Sequence, residues 1–85
     1  MSFLISHNED IEDVALIIPE AHADERGWFS EVYRESSFLG SGIPRFCQIN
    51  RSFSKKKGTI RGLHCQIEPH AQGKLVQCIS GSIFD

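Results

Sequence analysis

Residues 45–67 read RFCQINRSFSKKKGTIRGLHCQI. Two runs of strand length flank Lys55-Lys56-Lys57-Gly58. Arg45 to Ser54 alternates, with Phe46, Gln48, Asn50 and Ser52 on one face and Cys47, Ile49, Arg51 and Phe53 on the other. The lysines and the glycine read as a solvated turn, and Thr59 to Ile67 begins the next strand. A period of two broken by turn residues predicts β-structure.

Outward from this stretch the pattern repeats. On the N-terminal side, VALIIPE (Val14 to Glu20) is a short apolar run closed by Pro19, which suits a strand end or a sheet edge. ADERG reads as a turn. WFSEVYR (Trp28 to Arg34) alternates again. Ser36 to Leu39 forms a helical turn, and GSGIP is a loop. On the C-terminal side, EPHAQG is a loop, and KLVQCISGSIFD is a final strand with Gly81 at a turn or bulge. The sum is about five or six strands with little helix, at the turn spacing of an all-β sandwich or barrel. SGSIFD looks like a turn and the start of one more strand, so the pattern stops where a sheet is expected to continue.

With 85 residues the expectation is one domain, 1–85. The chain is 40% hydrophobic and 24% charged with a formal net charge of −2, an ordinary globular composition. An acidic balance argues against a nucleic-acid partner, because phosphate-binding domains are basic. No apolar run approaches the roughly 20 residues of a membrane helix. MSFLISHNED lacks the basic, apolar and small-residue regions of a secretory signal. Cys47, Cys65 and Cys78 form an odd set without a C-x-x-C pair, which reads as buried thiols in a reducing compartment, the cytoplasm.

His64 decides the chemistry, and residue types leave three readings open. As a structural group it is a hydrogen-bonded histidine on a strand. As a metal ligand it would need Glu68 and His70, but there is no H-x-H pair and Pro69 interrupts the loop. As a general base it has a suitable imidazole, with an ordinary pKa of about 6.5. Removing a proton beside a carbonyl builds charge on the carbonyl oxygen, and Lys74 is a cation suited to that charge. Arg61 suits a diphosphate, which a guanidinium grips in bidentate fashion. Strict alternation puts Arg61 and His64 on opposite faces. A bulge at Gly62 would bring them to one cavity. Gln48 and Asn50 suit the polar lining of a ligand-filled barrel, or else a solvated outer face.

DERGWFSEVYR, FCQINRSFSKKKGTIRGLHCQ and PHAQGKLVQCISGSIFD, in this order and spacing, resemble the dTDP-4-dehydrorhamnose 3,5-epimerase family from about Asp13 to Asp85. The resemblance implies an all-β, cupin-like double-stranded β-helix (jelly roll), here a partial barrel completed by dimerisation or strand exchange. It implies an isomerase acting on a dTDP-4-keto-6-deoxyhexose in dTDP-rhamnose-type deoxysugar biosynthesis, without metal or organic cofactor. His64 in RGLH matches the base that removes the C3 and C5 protons, and Lys74 in GKLV the lysine that stabilises the enolate oxygen. Arg61 matches a diphosphate or sugar contact, and Gln48 and Asn50 the polar pair of the substrate site. Arg26, Phe29 and Glu31 match the nucleotide-binding segment, which in the family often works across a dimer interface. Cys65 stands where the family often has an aromatic residue, and Ile49 where it often has an acidic one.

The family's chains are longer, and the part with no counterpart here supplies a tyrosine general acid and an aspartate that orients the base. The expectation is therefore that this chain alone is a weak or inactive enzyme, and that its open sheet edges make it pair with itself or with a chain carrying the C-terminal half. The other reading is a non-catalytic sugar-nucleotide-binding or interaction module derived from the same fold.

Overall fold

The computed structural model describes residues 2–85. They fall into two units, residues 1–45 and 46–85. The first unit is built of two hairpins and a helical turn. Strands β1 (Phe3–His7) and β2 (Ala15–Pro19) pair antiparallel, with Phe3 opposite Pro19, Ile5 opposite Ile17 and His7 opposite Ala15. The acidic connection between them is held by Asn8, whose Oδ1 accepts from the amides of Asp10 and Ile11 at 2.9 and 2.8 Å. This side chain stands in for a backbone acceptor in a tight turn. The Asn8 amide then donates to the Val14 carbonyl at 2.8 Å and closes the hairpin.

Strands β3 (Ala21–Asp24) and β4 (Gly27–Ser30) form the second hairpin, with Ala21 opposite Ser30 and Asp24 opposite Gly27. Glu25 and Arg26 are its two-residue connection. Helix α1 (Glu35–Leu39) is a little over one turn. Its Phe38 is the one fully buried side chain among the described residues. The rings of Phe3 and Tyr33 meet it edge to face, at centroid distances of 5.0 and 4.8 Å. An edge-on ring presents its positive rim to the negative face of its neighbour, so these contacts add to simple burial.

Alternation in β1 and β2 is clean. Phe3, Ile5, Ile17 and Pro19 are half-buried on one face, while Leu4, Leu16 and Ile18 are exposed on the other. The regular elements of the described residues are thus all β apart from one short helix.

The second unit differs from expectation. The runs 45–54, 59–67 and 74–85, read as strands, are not paired. Strand type is a property of a segment and its neighbour, because each edge must find N–H and C=O partners. The backbone hydrogen bonds within this unit include those of two turns, Thr59 N to Lys56 O at 3.3 Å and His70 N to Ile67 O at 2.8 Å. The face carrying Ile49 and Phe53 is consequently open: Ile49 is 96% exposed and Phe53 82%. The cysteines are corrected for the same reason. Cys47, Cys65 and Cys78 are free, but they are exposed rather than buried. Similarly, WFSEVYR is a strand only as far as Ser30, where pairing with β3 ends.

Candidate functional site

Two of the expected site residues of the first unit, Arg26 and Phe29, lie at the β3–β4 turn. Asp24, Arg26, Gly27, Trp28 and Phe29 line an open recess of about 300 Å³. Asp24 organises it. Its carboxylate accepts from the Arg26 amide at 2.8 Å and from Arg26 Nη2 at 2.6 Å. The Arg26 side-chain hydrogen bond, followed by the Arg26 amide bond, holds the Asp24 carboxyl below its ordinary pKa. The same carboxylate raises Arg26. Trp28 and Phe29 are 75% and 63% exposed and present aromatic surface beside this charge pair. Trp28 belongs to the recess although no role was read for it from sequence. The signal was an aromatic pair directly after a D-x-R turn.

Glu31 follows β4 and pairs with Arg34, whose Nη2 donates to Glu31 Oε2 at 2.7 Å. That side-chain hydrogen bond lowers the Glu31 pKa, and Glu31 in turn raises Arg34. The three expected residues therefore divide, with Arg26 and Phe29 at the recess and Glu31 in a separate ion pair.

In the second unit, Gln48 and Asn50 share one side of the chain. Gln48 Nε2 donates to Asn50 Oδ1 at 3.3 Å. Arg61 turns back across the lysine loop, its Nε donating to Ser54 Oγ at 2.9 Å and its Nη2 to the Phe53 carbonyl at 2.8 Å. The turn that permits this has Gly58 at φ +81°, with Lys56 O accepting from both Thr59 N and Thr59 Oγ1. Positive φ at the third turn position is the condition only glycine meets without cost.

Gly62 has φ +111°, so the alternation is broken between Arg61 and His64, as a bulge-like glycine would break it. The His64 ring lies back over Gly62. A Cβ added there would stand 3.4 Å from His64 Nδ1 and 3.7 Å from Cε1. His64 and Lys74 are exposed, and neither is tied by a hydrogen bond or ion pair among the described residues. No cluster of three or more histidine, cysteine, aspartate or glutamate side chains able to hold a metal occurs among the described residues. No helix in them is long and apolar enough to cross a membrane.

Comparison with known proteins gives these positions a context. The chain is 50% identical over 76 residues to a dTDP-4-dehydrorhamnose 3,5-epimerase of Sinorhizobium fredii, covering 88% of this chain and 39% of that protein. It is 51% identical over 75 residues to one from Methanothermobacter thermautotrophicus, covering 86% and 40%. It is 46% identical over 79 residues to one from Shigella flexneri, covering 89% and 42%. The chain thus spans about two fifths of the length of the curated relatives it matches. No solved structure matches it significantly. The family profile described as dTDP-4-dehydrorhamnose 3,5-epimerase matches residues 8–85. With every residue from Asn8 onward inside that match, the chain belongs to the dTDP-4-dehydrorhamnose 3,5-epimerase family.

Proposed function

We propose that this chain carries the base, the enolate cation and the anion-binding groups of an epimerase acting on a dTDP-4-keto-6-deoxyhexose. The observation that carries the reading is the family match over residues 8–85, which includes both RGLHCQ and GKLVQC.

The C4 keto group acidifies the protons on C3 and C5. Neutral His64 removes one of them, and the electron pair moves to the C4 oxygen as an enolate. Lys74 places an ammonium against that oxygen, where charge develops, so it stabilises the transition state more than the ground state. Return of a proton to the opposite face inverts the centre. Arg61 binds the diphosphate, Gln48 and Asn50 hydrogen-bond the sugar, and Arg26, Phe29 and Glu31 contribute to nucleotide binding. The keto group supplies the acidity, so the step needs no metal or organic cofactor. The reading places no general acid within this chain: the single tyrosine, Tyr33, packs on Phe38. A second chain carrying the remainder of the barrel completes the site, and pairing with it or with a second copy covers the open segments of residues 46–85. Sedimentation at micromolar concentration tests this, and a monodisperse monomer speaks against it.

The chemical test is hydrogen–deuterium exchange at C3 and C5 of dTDP-4-keto-6-deoxyglucose, followed by NMR in heavy water. A base alone can wash out an acidified proton even where inversion fails. Exchange that disappears in His64→Ala supports the reading. The span of about two fifths of the relatives' length favours one alternative, a non-catalytic sugar-nucleotide-binding module. Binding of dTDP with no exchange in wild-type protein would select that alternative.

A further inference from the structure

We propose that Ser54 is a positioning residue for Arg61, fixing its guanidinium so that one edge grips the protein and the other is presented to an anion. The inference rests on the reading of Arg61 as a diphosphate ligand, and it adds a residue to which no role has been given.

The geometry is specific. A guanidinium has five N–H donors in one plane, arranged as a side edge (Nε with one Nη2 hydrogen) and an end fork (Nη1 with the second Nη2 hydrogen). Ser54 Oγ takes Nε at 2.9 Å, and the Phe53 carbonyl takes Nη2 at 2.8 Å. These two adjacent acceptors occupy the side edge. The end fork has no protein acceptor among the described residues, and it is the edge that meets two phosphate oxygens in parallel. A free arginine would lose several rotors on binding. One held on its side edge loses fewer, so the clasp lowers the entropic cost of anion binding.

The surrounding charge suits an anion. Residues 46–67 carry Arg51, Lys55, Lys56, Lys57 and Arg61 and no aspartate or glutamate. The turn at Lys56–Thr59 brings residue 61 back beside residues 53 and 54. Sequence spacing alone leaves this contact invisible, because the partners are seven and eight residues apart across a loop.

Two measurements test the proposal. The first needs no ligand. The Arg61 Nε–H should give a distinct, slowly exchanging NMR resonance in the wild-type chain and in Ser54→Thr, which keeps the hydroxyl. In Ser54→Ala it should exchange like a free arginine. An unchanged resonance in Ser54→Ala overturns the clasp.

The second compares titrations with dTDP and with thymidine. Ser54→Ala should weaken dTDP by about 3–10-fold, the scale of one exposed hydrogen bond to a charged group, and leave thymidine unchanged. Ser54→Thr should restore dTDP. Arg61→Ala should cost more, and Ser54→Ala should add nothing to it. Equal weakening of dTDP and thymidine marks a merely structural serine and overturns the proposal. So does full additivity with Arg61→Ala. An Arg61→Ala chain that holds dTDP as wild type does overturns the diphosphate reading itself, and the role of Ser54 in anion binding falls with it. If Arg61→Ala weakens dTDP and Ser54→Ala does not, the proposal alone fails.

Discussion

The ring of Phe3 stands edge-on to the ring of Phe38, at 88° and 5.0 Å between centroids, and so ties the first strand to the helical turn 35 residues later. Phe38 is fully buried and also meets Tyr33. Phe38 is thus the apolar centre of the first unit. Phe38→Ala removes both ring contacts and leaves a cavity, so it should cost about 3–5 kcal/mol, while Phe38→Leu should cost less. Amide exchange of Leu4 and Ile18, opposite one another in the β1–β2 pair, reads the effect locally. Unchanged protection in Phe38→Ala would show that the hairpin stands without the helix.

The acid response follows from the carboxylates. Asp24 is held below its ordinary pKa by Arg26, Glu31 by Arg34, and Glu20 by hydrogen bonds from Ser2. A depressed folded pKa means that the unfolded chain binds protons first as pH falls. Each contribution is therefore complete above the unfolded value of about 4 and is lost as pH drops through the folded value. The side chains are exposed, so the effect should be small and should shrink further in salt. Carboxyl ¹³C titration should show these three groups titrating below the ordinary carboxylate range. Curves at the ordinary values would remove these hydrogen bonds and ion pairs from the account.

How far the sequence predicted this structure depends on where pairing is local. VALIIPE and the ADERG turn are found because the partner of each lies within about sixteen residues, and the turn chemistry is written in Asn8 and Asp24. β1 was missed because FLISH was weighed only as a leader sequence. Its Phe3/Ile5 alternation was the available signal. The runs around Gln48, His64 and Lys74 have strand periodicity but no neighbour in residues 46–85 to complete the ladder, so pattern and pairing part there. Local site contacts such as Gln48–Asn50 follow from i, i+2 spacing, whereas Arg61–Ser54 depends on a loop conformation that periodicity does not specify.

Lys74 and His64 should separate in their effects. His64→Gln removes the base, and deuterium exchange at C3 and C5 should stop. Lys74→Met keeps the length and removes the charge. It should lower the exchange rate by about 10²–10³-fold while dTDP binding stays within a few-fold, because the enolate charge exists only after proton removal. Equal loss of binding and exchange in Lys74→Met would assign the lysine to substrate holding instead.

Gly62 supplies the last test, because two effects meet at one position. Its φ of +111° disfavours any L side chain, and a methyl there would touch the His64 imidazole at Nδ1. The methyl only reaches van der Waals contact, so it is the strained backbone leading to His64 that should displace the ring in Gly62→Ala, and misplacement of a base by about 1 Å costs up to roughly 10²-fold in rate. The backbone and contact effects can be told apart. D-alanine, introduced by chemical synthesis, accepts positive φ and points its methyl away from the ring, so it should retain the wild-type ¹⁵N shifts of His64 and the wild-type exchange rate. Gly62→Ala should move both. If the D-alanine protein loses exchange as fully as Gly62→Ala does, the glycine serves something other than the placement of His64. If Gly62→Ala leaves the His64 shifts in place, the ring does not rest on residue 62 in solution.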